Sequence, residues 1–168
     1  YKRKRIATLQ KELTQHRAMV WEIKEKRSET SPIIDLQDTN RLKELYLIQR
    51  RVCLELFKNS SYYKRIKTEV EATHSETIFK ADERASLEKQ ILQTFLPLIE
   101  NLKVLCPNLN KNELFYCIVY QLSDSNKTIS SCLGISKDAV KTRKSRIKQK
   151  IDDELFILIF NKEYAENQ

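Results

Sequence analysis

Apolar side chains in the first 28 residues recur in alternating steps of three and four, which is the spacing of a coiled-coil heptad. The positions of this stripe are Ile6, Leu9, Leu13, His16, Val20, Ile23 and Arg27, five of them apolar. The pattern predicts that residues 1–28 form one helix, which pairs with a second copy through its five apolar members as a left-handed coiled-coil dimer. The alternative is an amphipathic helix that packs on its own chain.

Residues 29–105 are predicted to form a helical connector. The polar stretch from Ser28 to Ser31 and the following Pro32 predict a hinge after the coil, since proline suits the first turn of a new helix. Helices are expected from Asp38 or Thr39 to about Lys58, over residues 62–70 and from near Asp82, with a loop at 71–80. Pro97 should begin a further helix, because proline interrupts the hydrogen bonds of a helix interior.

The segment from Asn126 to Lys150 predicts two short helices joined by a tight turn. Gly134, the only glycine in the chain, falls in that turn, where glycine takes the left-handed conformation at little steric cost. Ser136 follows as a candidate N-cap of the second helix. The apolar positions that would face inward are Ile129, Leu133, Ile135, Val140, Ile147 and Ile151. A preceding helix, beginning at the capping pair Asn110 and Glu113, would complete a three-helix unit.

The second helix of this pair is predicted to present a basic face to the major groove of DNA. Residues 126–150 hold eight Lys or Arg and one acid, Asp138. The residues that share the face by helical spacing are Lys137, Lys141, Lys144, Ser145 and Lys148. The residues expected to contact phosphates are Lys127, Arg143 and Arg146. A solvated lysine face is the alternative, but the capped glycine turn between two amphipathic helices favours DNA binding.

Short motifs in residues 107–151 resemble the helix-turn-helix domains of LuxR-type transcriptional regulators, which carry patterns like L-T-x-R-E, S-N-K-E-I-A, L-x-I-S, T-V-K and K-L. The matching segments are 109–113, 125–130, 133–136, 139–141 and 150–151. The chain departs from the pattern at Thr128, Ser130 and Ala139, where the family has an acid, an alanine and a threonine. The resemblance implies a tri-helical, winged-helix-like DNA-binding domain. It also makes Lys141, which matches the lysine of T-V-K, the best candidate for a base contact.

Residues 143–146 are similar to a segment of helix-turn-helix regulators from certain anaerobic bacteria. In those proteins the domain follows extracytoplasmic tetratricopeptide repeats, one membrane span and a coiled coil. The basic run at residues 2–5 would then lie just inside the inner membrane, against anionic lipid, with a solvated N-terminus as the alternative. The only methionine is Met19, so we expect a cytoplasmic fragment of a longer, membrane-anchored signal-transduction protein.

Residues 155–160 are six consecutive apolar side chains, more than one helix face of a small domain would bury. In LuxR-type domains a fourth helix mediates dimerisation, and the resemblance implies that role for Leu155, Phe156 and Ile159. Two alternatives stay open. The run packs on residues 40–105, or it forms a short strand, since it lacks helical periodicity.

Composition supports an all-α chain, because one glycine and three prolines leave few turn-forming residues for a β-rich fold. The expected parts are a coiled-coil helix at 1–28, a connector at 29–105, and a helix-turn-helix domain with a C-terminal dimerisation segment at 106–168. The net charge of +8 is concentrated at residues 1–28 and 126–150, which suggests two separate anionic contacts.

No catalytic residue, metal site or cofactor is predicted. The four cysteines lie in apolar contexts without metal-ligand spacing and are expected to be buried, reduced thiols. The predicted function is therefore a dimeric, sequence-specific transcriptional regulator that binds double-stranded DNA and has no small-molecule substrate. The alternatives are a protein-interaction or scaffold module whose basic helix meets an acidic partner, and a sigma-like or RNA-binding role for the same two helices.

Overall fold

The computed structural model describes residues 1–30, 36–72 and 79–163, and all of its secondary structure in these ranges is helical. The helices are α1 (Lys2–Thr30), α2 (Leu36–Phe57), α3 (Ser61–Ala72), α4 (Ala81–Thr94), α5 (Leu96–Leu105), α6 (Lys111–Leu122), α7 (Asn126–Leu133), α8 (Lys137–Lys150) and α9 (Asp153–Phe160). The described ranges contain no strand, so the predicted all-α class is confirmed.

Helix α1 lies along α2 and α5 of its own chain. Of its heptad side chains, Leu9, Leu13, Val20 and Ile23 are buried in this packing and Ile6 is partly buried. This is the arrangement of the amphipathic alternative. A coiled coil through the same stripe would require α1 to separate from α2 and α5, and dimerisation by these residues stays a prediction.

Carboxylates of the connector pair with basic residues of α1. Arg17 donates from Nε and Nη2 to the two carboxylate oxygens of Glu100, each at 2.8 Å. Arg5 donates to Glu55 at 2.8 and 3.3 Å. A surface ion pair contributes about 0–1 kcal/mol, whereas full burial of a leucine or valine side chain contributes about 1.5–3 kcal/mol. The apolar stripe therefore holds α1 in place, and the ion pairs add only a small increment.

Several predicted boundaries of the connector differ from the observed ones by a few residues. Helix α1 continues through Thr30 instead of ending at the predicted hinge, and α2 begins at Leu36, earlier than predicted. Pro97 lies in the first turn of α5, as predicted, where its missing N–H costs no helical hydrogen bond. Pro32 and most of the predicted loop at 71–80 lie outside the described residues.

The larger of two hydrophobic clusters in the described residues extends from α1 through the connector to the C-terminal helices. Large, fully buried side chains on both sides of the predicted boundary at residue 106 include Tyr46, Phe57, Phe79, Phe95, Tyr116 and Ile129. Polar contacts cross this boundary as well. Arg50 donates from Nε to Gln121 Oε1 at 2.6 Å, and Lys43 Nζ lies 3.0 Å from the Glu154 carboxylate. The C-terminal helices therefore share the core of the connector.

The apolar run at residues 155–160 is helical and forms most of α9. Asp152 is the N-cap, and its carboxylate accepts from the Leu155 N–H at 2.8 Å. Acids at the cap and in the first turn also interact favourably with the helix dipole. The cap stabilises the start of this helix, and the strand alternative is wrong.

Helix α9 packs on α6, with the Gln121 side-chain amide donating to the Ile159 carbonyl at 2.8 Å. The buried side chains of α9 are Leu155, Leu158, Ile159 and Phe160. Ile157, on the outer side, is 45% exposed, and Phe156 is partly exposed. The principal partner of the run is thus α6, and not residues 40–105 as one alternative had it. Its dimerisation role stays a prediction.

Candidate nucleic-acid interface

The turn between α7 and α8 has the geometry that the sequence predicts. Gly134 adopts φ 66° and ψ 33°, the left-handed conformation. Its N–H and that of Ile135 both donate to the Ser130 carbonyl, at 2.9 and 3.2 Å, and the Ser130 hydroxyl donates to the Ile135 carbonyl. Ser136 then caps α8, its hydroxyl accepting from the Ala139 N–H at 3.1 Å. These bonds fix the direction in which α8 leaves the turn.

Helix α6 supports the two helices from behind. The Asn110 side chain accepts from the Glu113 N–H and the Glu113 carboxylate accepts from the Asn110 N–H, each at 2.9 Å, so the predicted capping pair is confirmed. Because α7 packs on α6 and α8 packs on α7, Ile129, Val140 and Ile147 are completely buried. The side of α8 opposite Val140 and Ile147 is left facing outward.

Exposed cations without an ion-pair partner lie on the outward side of α8. The predicted DNA contacts Lys137, Lys141 and Ser145 are exposed there, and Arg146 is exposed beside them. No carboxylate in the described ranges lies within ion-pair distance of Lys137, Lys141 or Arg146. A phosphate or a base edge can therefore approach these three charges without displacing a group of the protein itself.

Lys144 and Lys148, two of the predicted DNA contacts, lie near aromatic rings of α6 and α9. Lys144 is half-buried there, and Lys148 stays exposed. Lys144 Nζ lies 4.9 Å from the ring centroid of Tyr120 and 5.4 Å from that of Phe160, and 3.5 Å from the Tyr120 hydroxyl. Lys148 Nζ lies 5.5 Å from the ring centroid of Phe156. A cation over an aromatic face gains about 0.5–2 kcal/mol, so these contacts compete with binding to DNA.

Helical spacing explains this correction. Lys144 follows Val140 by four residues and precedes Ile147 by three, which places it on the flank of the buried stripe of α8. Lys148 follows Lys141 by seven residues, two helical turns, and is exposed like it. One residue of the predicted face, Lys144, therefore lies beside the protein's own aromatic rings. The other members of that face, Lys137, Lys141, Ser145 and Lys148, are exposed.

A second side of α8 faces the start of α6. Lys150 Nζ donates to both carboxylate oxygens of Glu113, at 2.8 and 2.9 Å. Burial alone would raise the pKa of Glu113, but hydrogen bonds from Lys150 and from the Asn110 N–H, together with the charge of Arg143, hold the pKa below its usual value. Arg143 is half-buried on this side, so this predicted phosphate contact lies at the edge of the outward surface.

Three exposed polar residues on the outward side of α8 were missed by the sequence analysis. They are Asp138, Thr142 and Gln149, and the Thr142 hydroxyl donates to the Asp138 carbonyl at 3.0 Å. Together with Ser145 they are spaced by four, three and four residues, which places them on one face. Taking the face opposite Val140 and Ile147, rather than the face richest in lysine, would have found them.

The remaining predicted contact, Lys127, is half-buried in the first turn of α7. The cap of that helix is Ser125, whose hydroxyl accepts from the Thr128 N–H at 3.5 Å. Helix N-termini favour phosphate because their amides and dipole are positive. Lys127 thus lies at a helix start separate from the outward side of α8, and its contact with phosphate stays a prediction.

The described ranges do not assemble a second chemical centre. They contain no group of three metal-ligating side chains close enough to hold an ion, and none of their helices has the length and apolar content needed to cross a membrane. All four cysteines are buried and unpaired. Burial raises the pKa of the Cys53, Cys106 and Cys132 thiols to about 12 and that of Cys117 well above its usual value, so all four stay protonated at neutral pH.

Comparison with known proteins gave no match: no family model, no curated protein and no solved structure resembles this chain at a significant level. The function proposed below therefore depends on the geometry and charge of α7 and α8 and on the motifs of residues 107–151.

Proposed function

We propose that this protein is a transcriptional regulator of the LuxR type that binds duplex DNA, with α7 and α8 as its helix-turn-helix and α8 in the major groove. The observation that carries the proposal is the two-sided character of α8. Val140 and Ile147 are completely buried behind it, and Lys137, Lys141 and Ser145 are exposed in front. A rigid helix with an apolar back and a cationic front suits the major groove, which admits one α-helix.

Each exposed side chain of α8 has a role that follows from its chemistry. Lys141 contacts a guanine edge, the commonest specific contact of a lysine, worth about 1–3 kcal/mol. The hydroxyls of Thr142 and Ser145 are within the same face and suit either purine or pyrimidine edges. Lys137 and Arg146 bind phosphates, which position the helix without selecting the sequence.

Two copies of the protein would bind two half-sites about one helical turn apart, or a multiple of it. We place the dimer contact on α9, where Ile157 and part of Phe156 remain exposed. Leu155 and Ile159, like the heptad side chains of α1, are buried within the chain. Ile157→Lys should then reduce the sedimenting mass to that of a monomer. A dimer that survives this change but is lost on substitution in the α1 stripe would return the role to α1.

The resemblance also supports a membrane-anchored arrangement of the full-length protein, with this part in the cytoplasm. The basic side chains at residues 2–4 are exposed and would follow the membrane span. Binding of this chain to anionic vesicles, and its loss on replacing residues 2–4 by glutamine, would support that arrangement. Equal binding by the replaced chain would reject it.

The test of function is selection of bound duplexes from a random pool, followed by titration at stated salt concentrations. Lys141→Ala should weaken binding to the selected duplex about tenfold to hundredfold and change binding to an unrelated duplex far less. Lys103→Ala removes the same charge from an exposed position on α5 and should change neither affinity.

Several outcomes would contradict the proposal. Equal losses on both duplexes would make Lys141 a phosphate contact only. Failure of the unaltered protein to bind any duplex at low salt would reject DNA binding and leave the interaction-module alternative. Association with core polymerase would favour the sigma-like alternative.

A further inference from the structure

Arg84 of α4 lies against the turn between α7 and α8, although 50 residues separate it from Gly134. Its Nη1 donates to the Phe79 carbonyl at 3.0 Å, which holds the side chain in one orientation. A Cβ built on Gly134 would lie 2.7 Å from Arg84 Nε and 2.9 Å from Cζ. A side chain at residue 134 would displace the guanidinium from this position, so Gly134 accommodates both the left-handed turn and the approach of Arg84.

The guanidinium of Arg84 lines an open cavity of about 540 Å³ beside the start of α8. The other residues that line the cavity are Ser130, Ser131, Gly134, Ile135, Ser136, Lys137 and Asp138. The cavity lining thus includes two cations, Arg84 and Lys137, and one carboxylate, Asp138. No carboxylate of the described ranges lies within ion-pair distance of either cation.

Arg84 retains donors for a ligand. A guanidinium carries five N–H groups, and the hydrogen bond to Phe79 uses one of them. The planar fork of arginine pairs with two oxygens of a phosphate at once, which a lysine cannot do. Because the side chain is already oriented by Phe79 and Gly134, little rotamer freedom remains to be lost on binding.

We propose that Arg84 binds a backbone phosphate of duplex DNA, so that the connector contributes a contact outside the helix-turn-helix itself. The inference rests on the proposed function. In helix-turn-helix complexes the N-terminal residues of the recognition helix approach base edges, and the flanking phosphates then lie beside that end of the helix. The cavity opens beside Ser136 and Lys137, the first residues of α8, and Arg84 is the cation that the connector places there.

Salt dependence of binding is the first test. Arg84→Gln should make the slope of log affinity against log salt shallower by about 0.9, the value of one phosphate on duplex DNA, for selected and unrelated duplexes alike. Lys89→Gln is the matched control, since it removes a charge from another face of α4, five residues further on, and should leave the slope unchanged. Arg84→Lys keeps the charge and should keep the slope, with a weaker affinity.

A phosphate-by-phosphate scan locates the contact. Replacing single phosphates of the selected duplex by neutral methylphosphonates should identify one position at which the unaltered protein loses about tenfold in affinity. The same replacement should have no effect on Arg84→Gln, because the partner of that phosphate is already missing. In the unaltered protein, the Arg84 Nε–H resonance should shift on addition of the duplex, a measurement that does not depend on the stability of a variant.

Four outcomes would overturn the inference. An unchanged salt slope in folded Arg84→Gln, with Lys141→Ala still weakening specific binding, would reject the Arg84 contact and leave α8 in the groove. An Arg84 Nε–H resonance that does not shift at a saturating concentration of duplex would also reject the Arg84 contact. Thermal stabilisation of the unaltered protein by inorganic phosphate, absent in Arg84→Gln and accompanied by an unchanged slope, would assign the cavity to a free anion. Absence of duplex binding by the unaltered protein would overturn this inference and the proposed function together.

Discussion

The two basic ends of the chain differ in what their charges face. In α1, Arg5 and Arg17 form ion pairs of 2.8 Å with carboxylates of the connector. In α8, Lys137, Lys141 and Arg146 have no such partner among the described residues. Net charge treats the two ends as equivalent. The position of each cation relative to the protein's own acids separates Arg5 and Arg17 from Lys137, Lys141 and Arg146, and unpaired cations are the better sign of a nucleic-acid surface.

The largest expected change in stability comes from introducing a charge into the buried apolar stripe of α1. Val20 is 1% exposed, so Val20→Asp buries an unpaired carboxylate and should lower the free energy of unfolding by about 3–5 kcal/mol. Urea denaturation measures the change, and Gln10→Asp, at an exposed position of the same helix, is the control. Val20→Asp with unchanged unfolding but a halved sedimenting mass would show that this stripe faces a second copy.

Substitution at the turn should have the next largest effect. Gly134→Ala forces an alanine into the left-handed region, at about 1–2 kcal/mol, and places its Cβ against Arg84. Truncating Arg84 to alanine in the same molecule should recover part of the loss, so the two changes are non-additive. Additive losses, measured by thermal denaturation, would show that the guanidinium does not occupy the space above Gly134.

The ion pair between Glu113 and Lys150 should make stability depend on pH. The folded-state pKa of Glu113 lies below its usual value, so its contribution is present above the unfolded pKa of about 4.3 and is lost as pH falls through the folded value. Glu113→Gln should cost about 1 kcal/mol at pH 7 and flatten the acid limb of the curve. An unchanged acid limb would mean that Glu113 is not held by Lys150.

The smallest effects on stability are expected from replacing Arg17 or Arg146. These two substitutions compare a cation that forms an ion pair with one that does not. Arg17→Ala and Arg146→Ala should each change the free energy of unfolding by less than about 1 kcal/mol. Arg146→Ala should also make the salt slope of DNA binding shallower by about 0.9, whereas Arg17→Ala should leave it unchanged. Equal salt slopes for the two variants would show that an ion pair within the protein does not decide which cation contacts DNA.

Local backbone chemistry was predictable from the sequence. Gly134, Ser136 and the Asn110–Glu113 pair occupy their predicted places because caps and left-handed turns involve residues within a few positions of one another. The helical class followed from composition for a similar reason, since the scarcity of glycine and proline acts everywhere along the chain.

Tertiary partners were not predictable from the sequence. The stripe of α1 satisfies a heptad equally well whether it meets a second copy or α2 and α5, because both present an apolar groove. Lys144 was placed outward because nothing near it in the chain shows that Tyr120 and Phe160 will lie beside it. Arg84 could not be assigned to the turn at all, since only the packing of α4 on α7 brings them together.

The continuous core from α1 to α9 has a consequence for protein engineering. A segment cut at residue 106 and fused to another protein would expose the inner surfaces of Tyr116, Ile118 and Val119, which are buried in the shared core. It would also lose the bond from Arg50 to Gln121. Fusions of this protein should therefore be joined upstream of α1, so that all helices of the shared core are kept together.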